Sequence, residues 1–273
     1  MPTIATAPRP ASAEVAVKTR YLVVDTESVP DGRLIADVKY PGQGLSPADA
    51  IARAQAEARD LSPTGSDFLP VTFQIPVAVC VIRVGTDFSL QAFKCLDEPH
   101  YRPAEVVKQF WRGVEDTYKG ANLVTFNGRG FDMPLLELAA FRQGLSVPNY
   151  WQRSRNRFNG NHIDVQERLT NFGASRMYGG LNLLAKMIGK PGKTDVAGDQ
   201  VYRMHCEGRL AEINDYCLCD TLDTYFVFLR SCVLTGDLPA DREADLIRRA
   251  REFLESRSAD APVLKEYLSN WEP

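Results

Sequence analysis

The chain has 273 residues, 44% of them hydrophobic and 25% charged, and a net charge of −3. That is ample for one large core with appendages, and it excludes a uniformly basic nucleic-acid coat, although local Lys and Arg clusters beside acidic groups remain compatible with phosphate binding. Six cysteines lie in apolar or helical surroundings with no CxxC pair, which gives no sign of a zinc site and reads as free buried thiols in a reducing compartment.

The opening stretch, MPTIATAPRPASAEVAVKTR, holds three prolines and no long apolar run, so it resembles neither a signal peptide nor a membrane span. It is expected to be a flexible arm over residues 1–19 of a soluble, cytoplasmic protein. Tyr21 to Thr26 reads as a short, valine-rich buried strand. From Pro30 to Pro70 the core pattern is interrupted by a stretch rich in Pro, Gly and Asp, within which Ser46-Pro47 opens a capped helix. This predicts an insertion beside the first strand. Val71 to Val84 and Phe88 to Leu96 predict a hairpin about Gly85-Thr86-Asp87.

Pro103 to Lys119 has helical apolar spacing, Asn122 to Phe126 is a strand, NGRG is a turn and Phe131 to Gln143 a helix. Beyond Gly144 the pattern is helical, near Ile163–Phe172, Leu181–Ile188, Leu210–Leu234, Arg242–Arg257 and Pro262–Trp271. Strands first, then helices that come to dominate, define an α/β class with a mixed sheet.

Three acidic segments punctuate this order. In VVDTES, Asp25 and Glu27 are two apart on a strand and leave the same face. In FNGRGFDMPLL, Asp132 follows a turn at a helix start, where an aspartate also serves simply to complement the helix dipole. In YCLCDTLDT, Tyr216 and Asp220 are four apart on a helix and share a face; the helix is apolar over much of its circumference, which places Asp220 close to the core. Converging carboxylates are costly unless a cation binds them, and oxygen-only donors suit hard ions such as Mg²⁺ or Mn²⁺.

In order and context these segments resemble the DEDD superfamily of 3′–5′ exonucleases, which have a ribonuclease-H-like (DnaQ-like) fold: a mixed central sheet flanked by helices. VVDTES is similar to its first motif and FNGRGFDMPLL to its second, while YCLCD is similar to the third motif of the tyrosine (DEDDy) subclass. GKTDVAGDQVYRMHCEGRLAEINDYCLCDTLDTYFVFLR further resembles stand-alone bacterial exonucleases related to the proofreading domain of family B DNA polymerases. The resemblance runs from about Arg20 to Arg230. It implies an exonuclease domain over 20–235, with the insertion at 30–70 and a C-terminal helical extension over 236–273.

By the same resemblance, Asp25 bridges two divalent metal ions, Mg²⁺ or Mn²⁺, while Glu27, Asp132 and Asp220 complete the ligands and Tyr216 positions the attacking water. Thr26, Asn127 and Phe131 are implied to contact substrate, a single-stranded or frayed DNA 3′ end cut to nucleoside 5′-monophosphates. Empty carboxylates repel phosphate, so the empty site is expected to bind substrate poorly and a chelator to abolish both binding and chemistry. Arg153, Arg155 and Arg157, interleaved with Trp151 and Phe158, fit either a single-strand track or a solvated loop. Two other readings stand beside this one: the same fold trimming RNA ends or short oligonucleotides, and an inactive nucleic-acid-binding module. The presence of all four acids and Tyr216 argues against the last.

Overall fold

The computed structural model describes residues 17–158, 160–192, 200–259 and 261–271, so the expected arm lies outside it up to residue 16. Strand β1 spans Thr19–Pro30, twice the predicted length, because it pairs along its whole course with the next strand. Its alternation sorts the segment between two layers. Val23 faces one buried cluster, whereas Leu22 and Val24 face the other, so Asp25 and Glu27 continue the first face and Thr26 the second.

The insertion folds as two helices, α1 (Gly32–Lys39) and α2 (Pro47–Leu61). Helix α2 starts where Ser46-Pro47 predicts, with the Ser46 hydroxyl accepting from the Asp49 amide at 3.2 Å. Helix α1 escapes the sequence pattern because it is short and hidden among turn-forming residues; the Asp31 carboxylate caps it at 3.1 Å. Together they bury Ile35, Tyr40, Ala50, Ile51, Ala54 and Leu69 as a small core of their own.

The predicted hairpin is β2 (Gln74–Gly85) with β3 (Leu90–Cys95), preceded by a single 3₁₀ turn at Val71–Phe73 where the sequence suggests strand. Pro76, which cannot donate to the ladder, sits at an irregularity where the partners step from Glu27–Ala78 to Ser28–Pro76. Helix α3 (Pro103–Arg112) is shorter than its apolar spacing implies, since the chain widens into a π turn at Gly113–Thr117. Strand β4 (Asn122–Thr125), helix α4 (Asp132–Gln143) and the unpredicted short helix α5 (Pro148–Arg153) follow.

The predicted helix at Ile163–Phe172 is a correction. His162–Asp164 forms strand β5, parallel to β4, and only Val165–Leu169 is helical (α6). The switch falls at Asp164, whose extended backbone ends the strand while its carboxylate caps the helix through the Gln166 and Glu167 amides. Beyond lie α7 (Gly180–Met187), α8 (Val201–Cys206), the long α9 (Leu210–Thr235), α10 (Ala240–Arg257) and α11 (Pro262–Ser269).

The sheet order is β3-β2-β1-β4-β5, antiparallel on the β3 side of β1 and parallel on the β4 side. Helices α3, α4 and α5 pack Val106, Phe110, Trp111, Leu136 and Tyr150 against Leu22 and Val24. On the opposite face α9 is buried nearly all round, as its apolar circumference requires. Helices α10 and α11 add Leu246, Leu254, Leu264 and Tyr267, together with Trp271, to that same cluster. Among the described residues, no helix is long and apolar enough to cross a membrane. Of the cysteines, Cys80, Cys95, Cys217 and Cys232 are buried as expected and Cys219 is partly covered; Cys206 is exposed because it lies on the outer side of short α8.

Candidate active site

Two adjacent elements of one layer carry three of the acids. Asp25 and Glu27 leave the face of β1 that α9 covers, and Asp220 projects from α9 toward them. One carboxylate oxygen from each lies within 4.8 Å of the others. Beneath them the Cys217 thiol donates to the Asp25 carbonyl at 3.3 Å and to its carboxylate at 3.6 Å. Burial, and then the charges of Asp132, Asp220 and Glu27, push the Asp25 carboxyl well above the usual range.

Asp132 approaches from the other layer. It is the first residue of α4, and its carboxylate accepts a 2.6 Å hydrogen bond from the buried Thr26 hydroxyl. Asp132 is therefore not one of the three converging groups, yet its charge is the largest electrostatic influence on Asp25. Its own carboxyl is pushed up to about 7, chiefly by burial, against the lowering effect of the Thr26 hydrogen bond. Thr26 thus couples β1 to α4, a role that its place between two acids does not announce.

The turn before α4 is held from below. Asn127 takes a left-handed conformation, φ 61°, and its carbonyl accepts from the Gly130 and Phe131 amides. A Cβ on Gly128 would lie 2.3 Å from the Thr125 hydroxyl oxygen, so only glycine fits that close approach. The Asp164 carboxylate receives the Asn127 amide at 3.0 Å and the Arg129 amide at 2.9 Å. One aspartate therefore caps α6 and anchors the turn that delivers Phe131 and Asp132. Sequence reasoning misses this role, because Asp164 lies 32 positions beyond Asp132 and only the parallel pairing of β4 with β5 brings it back.

A cleft of about 580 Å³ opens over the acids, lined by Thr26, Glu27, Phe131, Tyr216 and Asp220. Asn127 is not among its lining residues. The insertion supplies one wall through Gln55, Ser66 and Phe68, and α8 adds Tyr202. Phe68 meets Phe131 with ring centroids 5.7 Å apart, making an aromatic rim. The only sequence signal for Phe68 is an isolated aromatic in a turn-rich stretch; Tyr202 sits in the segment that resembles the polymerase-related exonucleases.

Tyr216 lies one turn before Asp220 and is hydrogen-bonded to it; burial, then the Asp220 and Glu27 charges, push its hydroxyl far above the ordinary range. It is held as a proton donor. Three carboxylates in a small space, with a fourth charge beside them, suit a hard divalent cation: the donors are all oxygen, and a cation removes the mutual repulsion that raises Asp25.

His162 does not line this cleft. Its Nε2 is 2.8 Å from the Thr125 hydroxyl, Nδ1 is buried without a hydrogen-bond partner, and burial, aided by the Arg129 charge, lowers its pKa to about 3. Because that pKa is depressed from about 6.5, the unfolded chain binds the extra proton between pH 6.5 and 3. The stabilisation is present above pH 6.5 and is lost as pH falls toward 3. Urea titrations from pH 4 to 6.5 should show a His162→Gln variant with a stability–pH slope lower by up to about 1.4 kcal/mol per pH unit; parallel slopes would refute a neutral buried imidazole.

The fold is a five-stranded mixed sheet flanked by helices, consistent with a ribonuclease-H-like exonuclease, and its acidic cluster is of the kind that holds metal. Residues 66–271 match the family described as predicted 3′–5′ exonucleases related to the exonuclease domain of PolB, and the chain belongs to that family. The match takes in Asp132, Tyr216 and Asp220 and runs past Arg230 through α11, whereas Asp25 and Glu27 precede it. No curated protein matches the chain. Family membership implies a nucleic-acid substrate.

Proposed function

We propose that this protein is a metal-dependent 3′–5′ exonuclease of the tyrosine (DEDDy) subclass, removing nucleoside 5′-monophosphates from single-stranded or frayed DNA ends in the cytoplasm. The observation that carries the reading is the convergence of Asp25, Glu27 and Asp220 within 4.8 Å, with Glu27 and Asp220 lining an open cleft and Tyr216 one turn from Asp220. Those three carboxylates, with Asp132, would hold two divalent ions, Mg²⁺ or Mn²⁺. Bound there, such ions supply water of lowered pKa and stabilise the attacking and leaving oxygens of a phosphodiester.

The chain's own groups do the positioning. Thr26 donates to Asp132 and fixes the carboxylate's direction. Tyr216, kept protonated, would turn its one O–H from Asp220 toward the scissile phosphate or the incoming water, and cannot act as the base. Phe131, paired with Phe68, offers a ring face to the terminal base, and Asn127 shapes the turn that presents it. In the same reading, 20–235 form the exonuclease unit with the 30–70 insertion as a cleft wall, and 236–273 a helical extension bracing α9.

The test is direct. Purified protein with 5′-labelled DNA and RNA oligonucleotides and Mg²⁺ or Mn²⁺ should give DNA ladders that shorten from the 3′ end and stop in EDTA. Faster shortening of RNA would move the substrate to RNA, and cleavage undiminished by chelator would sink the metal reading.

A further inference from the structure

Residues 144–192 carry seven lysines and arginines against two acids, a surplus of five positive charges in a chain whose total is −3. Four of the exposed aromatic side chains lie in the same stretch: Trp151 at 55%, Phe158 at 79%, Phe172 at 53% and Tyr178 at 77% exposure. Unpartnered apolar faces normally stay out of water, and rings interleaved with arginines are the chemistry by which proteins hold unpaired bases and their phosphates. The rings and cations are already arranged together. The Arg155 guanidinium lies 4.2 Å from the Trp151 ring centroid and that of Arg157 5.2 Å from Phe172, while Phe158 and Phe172 sit 6.3 Å apart.

This surface is tied to the turn that delivers Phe131 and Asp132. The Glu167 carboxylate bridges Arg129 of the turn before Phe131 at 3.1 Å and Arg157 at 2.9 Å. A groove of about 650 Å³ is lined by Met133, the residue after Asp132, and by Glu137, Arg129, Arg157, Arg155 and Trp151. Arg155 is paired with Glu137 and Arg157 with Glu167, but both guanidinium side chains remain over 40% exposed, so the pairs hold them in place without covering them. The three arginines that look alike in sequence therefore divide: Arg153 folds back over Gly120, and the other two face the groove.

We propose that this groove and the adjoining Phe158–Phe172 face bind the single strand several nucleotides 5′ of the bond being cut, through sequence-independent stacking and phosphate contacts. The inference rests on the exonuclease reading for its direction but is measured apart from it. A circular single-stranded 40-mer offers no 3′ end to the carboxylates, so its binding to the full chain in EDTA, read by fluorescence anisotropy, reports this surface alone. The wild type should bind in a salt-dependent manner. Phe158→Ala/Phe172→Ala should weaken binding ~10-fold or more. Arg155→Ala/Arg157→Ala should do the same and flatten the dependence of log K on log salt by up to about two.

Equal affinity in wild type and both double variants, or binding indifferent to salt, overturns the proposal. Linear 5′-labelled 40-mer with Mn²⁺ in parallel tests the other reading. A protein that binds circles in this manner yet never shortens the linear strand would overturn the exonuclease assignment and leave the surface standing.

Discussion

Asp25→Asn should abolish shortening of a 3′ end, by at least about 10³-fold, while making the metal-free protein more heat-stable. Both effects come from the same position. Asp25 is buried, and the charges of Asp132, Asp220 and Glu27 converge on it as well. An amide of nearly the same shape takes the Asp25 charge itself out of that cluster. For a chain of this size each 1 kcal/mol recovered raises the melting midpoint by ~2–4 °C. The metal response should invert the order. Mn²⁺ at a hundred times its dissociation constant stabilises a protein that binds it only when folded by about 2.7 kcal/mol. The wild type should therefore gain several degrees on adding Mn²⁺, and Asp25→Asn should gain little. Differential scanning fluorimetry with and without EDTA measures all four states; an equal Mn²⁺ response in the two proteins would remove Asp25 from the ligand set.

Tyr216→Phe should separate positioning from metal binding. The ring is buried beside Asp220, and phenylalanine fills the same space, so the fold and the Mn²⁺-induced shift in melting midpoint should persist. What is lost is one preorganised donor, typically worth about 10²–10³ in kcat when it faces developing charge in a dry site. Steady-state kinetics on a short oligonucleotide should show that drop mainly in kcat. A hydroxyl acting as general base would instead tie the rate to its ionisation, which burial and neighbouring carboxylates place far above neutral pH. A variant with undiminished kcat would show that Tyr216 serves the packing of α9 alone.

Much of the architecture was legible because local rules and tertiary structure agree. The valine-rich β1, the hairpin turn at Gly85-Thr86-Asp87, the Ser46-Pro47 cap and the long apolar α9 each follow from periodicity or end chemistry. The misses share a cause. Strand β5 is three residues long and exists only through its pairing with β4, so no period reveals it. Helix α1 is held by the Asp31 cap and by packing on α2, in a stretch whose composition signals turns.

The site divides along the same line. Residue type and spacing alone placed Asp25 with Glu27 on one strand face and Tyr216 with Asp220 on one helix face, since those are consequences of periods of two and of 3.6. The packing of α9 on β1 decided that the two faces meet, with three carboxylates within 4.8 Å. Tertiary structure likewise set Asp132 in the opposite layer, held by Thr26, and fastened its turn to Asp164. It also brought Phe68 of the insertion to Phe131, and Arg157 to the turn that carries Asp132. Local sequence can specify which side chains share a face, because the backbone period is local; which faces confront each other is settled by burying apolar area between elements far apart in the chain.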